Sequence, residues 1–387
     1  MHDWRAPISS MFYEFELGDA YFDAPTGRTH CDLLLKRQYR IEKKQLVFML
    51  ETSLNIQDDV LQEELSRASD DKMKNVVATI QRDQNAIIRN DQTHTLIIQG
   101  AAGSGKTSIA LHRIAFLLYK YRDAIRSDEI LIVSPNKVFA HYISQVLPEL
   151  GEEMIQETTM EVLAFEILDH QVEFQTFAEQ VSIQLSGRDK KHDQRIKFKA
   201  TPEFLEQLDT YARHIRHANL NPTEIKVGLY TLSAQWISAE FGKYGRLSIN
   251  EQISRVLAAI ADYMKVHHQK QITSKQRTQL RGELRRMFSH TTLKAIYKNF
   301  YTWLDQPRMF KQLKGGKYEY CDVFPLIYLK MLLDGTSSMS RIKHLVIDEM
   351  QDYTPVQYQV VANLYPCKRT ILGDHNQAVS PLSSSHA

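Results

Sequence analysis

The chain has 387 residues, of which 43% are hydrophobic and 24% are charged, and its formal net charge is +2. A chain of this length usually builds more than one hydrophobic core, so we expect two or three domains. A nearly balanced charge gives no overall sign of nucleic-acid binding, which would have to depend on local basic patches.

Secretion and membrane insertion are not indicated. The sequence contains no apolar run of about 18 residues that could span a membrane, and its start lacks the basic and apolar regions of a signal peptide. We therefore expect a cytoplasmic protein with no membrane partner. Cys31, Cys321 and Cys367 are far apart and form no CxxC pair, so neither a disulfide framework nor a zinc site is indicated.

The residue composition and the spacing of apolar residues change several times along the chain. Residues 11–50 mix aromatic and β-branched positions with polar ones, and Pro25, Thr26 and Gly27 mark a turn between two candidate strands. Apolar residues then recur at helical spacing, which predicts one or two amphipathic helices over 58–90. Residues 95–150 alternate short apolar runs with helical patterns, as parallel βαβ units do.

These patterns predict an α/β fold with a parallel sheet, interrupted by a large, mainly helical insertion. Strand-like runs return from residue 342 onward, in IKHLVIDE and RTILGD. The predicted boundaries are a small β-rich module over 1–57, the first part of the α/β domain with its leading helices over 58–150, the insertion over 151–340, and the second part of the α/β domain over 341–387.

The strongest motif is GAAGSGKT, from Gly100 to Thr107, which fits the pattern G-x-x-x-x-G-K-[ST]. It follows the apolar run TLIIQ and precedes an apolar helix, which is the setting a phosphate-binding loop requires. Lys106 is predicted to reach the β and γ phosphates of ATP, and the Thr107 hydroxyl to bind Mg²⁺. The predicted nucleotide-binding residues of the loop are Gly100, Ala101, Ala102, Gly103, Ser104, Gly105, Lys106, Thr107 and Ser108.

A pair of carboxylates supplies the acidic partner that such a loop needs. In HLVIDEMQDY the apolar run ends at Asp348 and Glu349. Asp348 is predicted to hold Mg²⁺, and Glu349 to act as the general base that orients the attacking water. Adjacent side chains on a strand point to opposite faces, so the pair must lie where the strand ends. Thr354, Pro355 and Gln357 then predict the capped start of a helix.

Gln377 follows a third apolar run, in TILGDHNQ. Ligands of doubly wound sheets lie beyond the carboxyl ends of the strands, so Gln377 is predicted to face the γ-phosphate or the attacking water. Taken alone the signal is weak, because a glutamine after a strand is usually a loop residue.

Together these motifs resemble the UvrD-like superfamily 1 helicases. GAAGSGKTSIALHRIAFLLY is similar to their phosphate-binding loop and its helix, VIDEMQDYTPVQ to their second motif and LGDHNQAV to their third. The flanking phrases DWRAPISSMFY, KMKNVVATIQRDQNAIIR and SPNKVFAHYISQVLPELGE resemble the HelD-type branch.

The resemblance carries further expectations. It implies that Gln84 reads adenine, with Gln81 as the rival for that position, and that the motif in LIVSPNKVFAHYI contacts single-stranded nucleic acid, with DNA expected ahead of RNA. The HelD-type branch implies RNA polymerase as a partner. Members of the family carry a second RecA-like domain after the third motif, and HelD-type proteins an N-terminal coiled coil, so a partial chain that turns over ATP slowly is expected.

Two basic runs, over 187–199 and 275–287, could track phosphates, although a solvated helix face is the more common role of such a run. The aromatic residues near them could stack bases or belong to the core, and the core is the more frequent outcome. These aromatic residues are Phe198, Tyr297, Phe300, Tyr301 and Trp303.

The predicted function is that of the ATP-binding half of a helicase-like ATPase that remodels nucleic acid or RNA polymerase complexes. The alternative is a non-catalytic module that docks on RNA polymerase and holds nucleotide as a structural ligand.

Overall fold

The computed structural model describes residues 3–24, 26–42, 45–51, 82–101, 103–135, 154–170, 172–187, 189–335 and 339–377. Its strands are β1 (Gly18–Ala24), β2 (Gly27–Leu33), β3 (Arg37–Glu42), β4 (Gln45–Glu51), β5 (Thr95–Gln99), β6 (Ile130–Val133), β7 (Gln156–Thr158), β8 (Ile225–Val227), β9 (Tyr230–Leu232), β10 (His344–Ile347) and β11 (Lys368–Gly373).

The α-helices with both ends in the described residues are α1 (Met11–Glu14), α2 (Lys106–Lys120), α3 (Met160–Ile167), α4 (Phe177–Ser186), α5 (Lys190–Lys199), α6 (Pro202–Ala218), α7 (Ala234–Gly242), α8 (Ile249–His268), α9 (Ser274–Arg286), α10 (Leu293–Trp303), α11 (Tyr320–Asp334) and α12 (Pro355–Leu364). Residues 82–89 are also helical. No helix in the described part of the chain is both long and apolar enough to cross a membrane.

The N-terminal region forms two antiparallel hairpins, β1 with β2 and β3 with β4. The predicted turn between two strands is confirmed, since β1 ends at Ala24 and β2 begins at Gly27, although Pro25 itself lies outside the described residues. Gly27 has a φ of +119°, a conformation that side chains rarely adopt. Of the helices predicted over 58–90, the structure describes only residues 82–90, of which 82–89 are helical.

A five-stranded sheet with the order β5-β11-β10-β6-β7 confirms the predicted α/β class. The pairs β5 with β11, β11 with β10, and β10 with β6 are parallel. Every residue of β6 and β10 is buried, which is typical of strands covered on both faces. The two strands closest to the C-terminus thus lie between β5 and β6, although more than two hundred residues separate β6 from β10.

Buried polar contacts join the sheet to α2. Arg113 is only 2% exposed, and its guanidinium donates to Thr370 Oγ1 at 3.0 Å and to the carbonyl oxygen of Ile87 at 3.1 Å. His344 Nε2 lies 3.0 Å from the same Thr370 hydroxyl. One side chain therefore links α2, the helix that precedes β5 and the strand β11.

The described contacts divide the chain into two compact units. The first comprises Met1–Glu157, Arg341–Asp348 and Cys367–Asp374, and the second comprises Thr158–Ser340, Glu349–Pro366 and His375–Ala387. The first unit contains the strands of the five-stranded sheet, with β7 included as far as Glu157. The second unit contains the helices from α3 to α12. The domain boundaries predicted from the sequence stay predictions.

The helical unit buries most of the aromatic residues singled out above. Tyr297 and Phe300 are 0% exposed and Tyr301 is 1% exposed, so the core interpretation is confirmed for these three. Trp303, by contrast, is 38% exposed. A second cluster of apolar side chains forms around β8, β9 and the helices α7 to α9.

The first basic run is not a uniformly solvated face, because two of its cations point inward. The Arg195 guanidinium pairs with Glu319, with Nε to Oε2 at 2.7 Å, and Lys199 Nζ lies 2.7 Å from Asp322. The expectation of a solvated or phosphate-tracking run is therefore wrong for these two residues. Their acidic partners lie more than 120 residues further along the chain, where sequence spacing gives no warning of them.

Candidate active site

The loop between β5 and α2 has the backbone of a phosphate cradle. Gly103 and Gly105 have φ values of +76° and +81°, in the left-handed region that glycine adopts without strain. Gly105 is the N-cap residue of α2, and among the described side chains none caps this helix. The N–H groups of its first turn are therefore directed toward the loop and open to an anion. Ala102 lies outside the described residues.

Gly100 is the third glycine of the loop and the one with a close side-chain neighbour. A Cβ atom there would overlap the Ser104 hydroxyl and would lie 3.2 Å from Ser104 Cβ. The Gly100 N–H donates to the Gly373 carbonyl oxygen at 3.3 Å, so the loop begins against the end of β11. The cradle thus requires left-handed backbone at Gly103 and Gly105, and at Gly100 the Ser104 side chain would have to move to admit a Cβ atom.

Lys106 lies over this loop. Its ammonium donates to the carbonyl oxygens of Gly100 at 2.6 Å and Ala101 at 2.9 Å. Thr107 and Ser108 follow on the first turn of α2 and are half-buried. His112 lies one turn further along, with Nδ1 at 2.8 Å from the Ser108 carbonyl oxygen. The first turn of α2 therefore presents an ammonium group and two hydroxyl groups next to the cradle.

Gln84 also lies beside the loop. Its Nε2 is 3.9 Å from the position that a Cβ atom on Gly105 would occupy. The helix of residues 82–89 holds it there, and the buried Ile88 anchors that helix in the core beneath the sheet. Gln81, the rival candidate, lies outside the described residues.

Asp348 follows β10 at the same edge of the sheet as the loop. It is 7% exposed, and its backbone N–H donates to the Val133 carbonyl oxygen at 2.9 Å. Since β11 lies between β5 and β10, two strand spacings of about 5 Å each separate the two strand ends. Oxygen atoms from Asp348 and Thr107 are the kind of ligand that Mg²⁺ prefers, so the residues fit this ion and a bound phosphate.

Glu157 adds a carboxyl group that sequence reasoning missed. Burial, together with the charge of Asp348, raises the pKa of Glu157 to about 7. The residue lies on β7, the strand beside β6. A short strand reading QET offers no apolar run, so the only available signal was an acidic residue between two predicted elements.

Glu349 and Gln377 both belong to the second compact unit, at two 3₁₀ turns that contact each other. Glu349 has a φ of +52°, an uncommon conformation for a residue with a side chain. The Gln351 side-chain amide donates to Glu349 Oε2 at 2.7 Å. The 3₁₀ turn Met350–Asp352, which follows Glu349, packs against the 3₁₀ turn His375–Gln377. The helix after Glu349 begins as predicted, with a capping box formed by Thr354 and Gln357.

The left-handed turn at Glu349 resolves the problem of adjacent carboxylates. On a regular strand the side chains of Asp348 and Glu349 would point to opposite faces. The strand ends at Ile347 and the backbone turns at Glu349, so the alternation no longer applies. Such strain at a polar turn is common where function requires a fixed side-chain direction.

Comparisons with known proteins agree with this geometry. The model of the UvrD/REP helicase N-terminal domain matches residues 80–380, and that of the DNA helicase IV HelD N-terminal domain matches residues 1–94. Among curated proteins, none matches the chain. The first match covers well over half of the chain and spans the loop, Asp348, Glu349 and Gln377. The chain therefore belongs to the UvrD/REP helicase family, as a HelD-type, superfamily 1 helicase-like ATPase.

Proposed function

We propose that residues 100–108 bind the phosphates of ATP and that the chain uses ATP hydrolysis to remodel nucleic acid or RNA polymerase complexes. The observation that carries the proposal is the glycine cradle at the end of β5, with Asp348 two strands away in the same sheet. A glycine-rich turn without a nucleotide-binding role would not be expected to share a sheet edge with a buried carboxylate.

The roles of the residues follow from their chemistry. Lys106 would exchange its carbonyl contacts for the β and γ phosphates, because charge-assisted hydrogen bonds to phosphate are stronger than those to neutral carbonyl groups. Gln84, beside Gly105, would read the adenine edge. Thr107 and Asp348 would hold Mg²⁺, which when bound neutralises charge on the phosphates.

Glu349 would act as the base in hydrolysis. As the water oxygen bonds to the γ-phosphorus, Glu349 would accept a proton from that water, and the bond to the β–γ bridging oxygen would break to give ADP and phosphate. Gln377, on the turn that packs against the turn after Glu349, would sense the γ-phosphate or the water. Gln377 is exposed on a turn that contacts the turn after Glu349, which suits it to relay the hydrolysis step.

Nucleic acid and RNA polymerase are the partners that this function requires. The helicase match supports single-stranded nucleic acid, with DNA expected ahead of RNA, and the HelD match over residues 1–94 supports RNA polymerase. The same HelD match favours the second candidate function, a non-catalytic module that docks on polymerase and keeps nucleotide as a structural ligand.

ATP turnover separates the two candidates. In residues 1–387 alone we expect slow hydrolysis that single-stranded nucleic acid does not accelerate and that Glu349→Gln abolishes. Tight ATP binding with turnover equal to that of Glu349→Gln under every condition would instead establish the non-catalytic module.

The rate of residues 1–387 on their own stays a prediction. The arginine that completes the site in P-loop ATPases contributes about 10³ to 10⁵ in turnover and often comes from outside the core site. We expect slow hydrolysis from residues 1–387 alone, and a rise of about a hundredfold or more when the second RecA-like domain of the family is supplied. Fast turnover without it would place the arginine within the chain.

A further inference from the structure

A cavity of about 820 Å³ lies within the helical unit, and none of its lining residues belongs to the phosphate-binding loop. Its walls come from the ends of α3, α6, α9 and α11, from α7, from residues 245–252 and from the start of α10. A volume of this size is typical of sites for nucleotide-sized ligands, which occupy cavities of roughly 300 to 1,000 Å³.

The lining of this cavity is strongly basic. Five of its side chains are cationic and two are anionic, a formal excess of three positive charges; the cations are Arg216, Arg246, Arg285, Lys294 and Lys330, and the anions are Asp169 and Asp334. Lys330 pairs with Asp334 at 3.9 Å. No carboxylate of the described chain forms an ion pair with Arg246 or Arg285, so their charges are available to a ligand.

The walls are fixed before any ligand arrives. Asn219, which is 6% exposed, donates through Nδ2 to the His290 carbonyl oxygen at 2.8 Å and accepts the His290 N–H at 2.8 Å. Arg216 donates to the Leu332 carbonyl oxygen, which ties the end of α6 to α11. A site held by such contacts loses less freedom on binding than a flexible surface would.

The lining of the cavity also includes apolar side chains and two helix starts. Ile215, Phe241 and Phe288 line it with the small apolar part of their surface that is accessible, since each is at most 8% exposed. The starts of α8 and α10 are capped by the side chains of Ser248 and Thr292, so they leave the arginines as the main anion-binding groups. The cavity is open to solvent, and Arg246 and Arg285 are exposed at it, where a ligand with phosphate groups can reach them.

We propose that this cavity is a second binding site for a phosphorylated small ligand of nucleotide size that carries about three negative charges. Arg246 and Arg285 bind its phosphates, and the apolar wall around Phe241 and Phe288 contacts its base or other flat group. A nucleic-acid strand, which would need a groove that continues past each nucleotide, is the alternative occupant that the test separates.

Nucleotide binding to the Lys106→Ala chain tests the proposal, since that change weakens the first site. We expect ATP and GTP to bind this variant by calorimetry at low salt with one ligand per chain, and tripolyphosphate to bind more weakly because it lacks the base. Adding Arg246→Gln and Arg285→Gln should weaken this binding at least about tenfold, because each lost charged hydrogen bond to phosphate is costly. The matched control adds Arg255→Gln and Arg281→Gln, two exposed arginines of α8 and α9 that do not line the cavity.

Three outcomes would overturn the proposal. The Lys106→Ala chain would bind neither nucleotide nor tripolyphosphate at millimolar concentration, or the two double variants would bind equally well. Alternatively, the Arg246 and Arg285 changes would weaken a single-stranded oligonucleotide while leaving ATP unaffected, which would make the cavity part of a strand path. The experiment also distinguishes failure of the phosphate-binding loop as an ATP site. In that case Lys106→Ala would bind ATP as tightly as the unaltered chain does, while Arg246→Gln with Arg285→Gln would still weaken binding at the second site.

Discussion

The phosphate-binding loop and the buried ionic cluster of the helical unit use the same residue types in opposite ways. In the cluster, Lys199 lies 2.7 Å from Asp322, and both side chains are almost fully buried at 1% and 0% exposure. In the loop, Lys106 contacts only the carbonyl oxygens of Gly100 and Ala101, and within the described chain it has no carboxylate partner. The paired charges stabilise the fold here, and we propose that the ammonium group without a carboxylate partner binds phosphate.

The same contrast between paired and unpaired charges applies to a group of potential metal ligands. Ligand atoms of Glu319, Cys321 and Asp322 lie within 4.8 Å of one another. Arg195 and Lys199 already neutralise the two carboxylates, and Tyr297 and Tyr301 both donate to Asp322 Oδ1. A cation would have to displace these partners, so the group stabilises the fold rather than serving as a metal site.

The largest expected effect tests the functional side of this comparison. Glu349→Gln should lower turnover by about 10² to 10⁴, because the amide cannot accept the proton from water. ATP affinity should stay nearly unchanged, because shape and most hydrogen bonding are preserved. Steady-state kinetics and calorimetry measure the two quantities. Loss of affinity instead of turnover would assign Glu349 a metal-binding or structural role.

A change in the buried ionic cluster should have a comparably large effect, on the stability of the fold. Lys199→Ala should lower the free energy of unfolding by about 3 to 5 kcal/mol, because it leaves Asp322 buried without its cation. The double variant Lys199→Met with Asp322→Leu should recover part of this loss, since no unpaired charge remains, although the Tyr297 and Tyr301 hydroxyls lose the oxygen to which they donate. Urea denaturation measures both. A single variant as stable as the unaltered chain would show that Lys199 and Asp322 are not a structural pair.

A smaller effect is expected on ligand binding. Lys106→Ala should weaken Mg-ATP binding by about ten- to a hundredfold, the range for loss of a charged hydrogen bond to phosphate. Arg122→Ala, an exposed cation just after the same helix, is the matched control and should leave the affinity unchanged. Equal affinities for both variants, measured by calorimetry, would contradict the assignment of the phosphate-binding loop.

The smallest effect concerns pH. Burial, with the charges of Arg113 and Lys368, lowers the pKa of His344 to about 3. The unfolded chain, with an ordinary histidine pKa near 6.5, binds this proton first, so stability falls as the pH drops below about 6.5. Between pH 7 and pH 5 the loss due to His344 should be about 2 kcal/mol.

His344→Gln separates this contribution from those of other histidines. The amide can still hydrogen-bond to Thr370, which lies 3.0 Å from His344 Nε2, but it does not titrate. Urea denaturation at the two pH values should therefore show about 2 kcal/mol less pH dependence in the variant. Identical pH dependence would mean that His344 is accessible to protons in the folded protein.

Local sequence alone determined the parts of the site that depend on neighbouring residues. The GAAGSGKT motif specified a loop in which Gly103 and Gly105 adopt left-handed backbone, because no other residue does so without strain. Thr354 and Gln357 specified a capped helix for the same local reason. The apolar run of β10 also showed that Asp348 follows a buried strand.

Only the tertiary structure decided which distant residues meet. The placement of β10 and β11 between β5 and β6 depends on pairing across the whole insertion, and several strand orders bury the same apolar runs equally well. Arg195 and Glu319, 124 residues apart, appear in the sequence as ordinary surface charges. The arginines that line the cavity of the helical unit likewise come from separate elements of that unit. Periodicity reports which face of an element is buried, whereas the partner on that face is set by the packing of the complete chain.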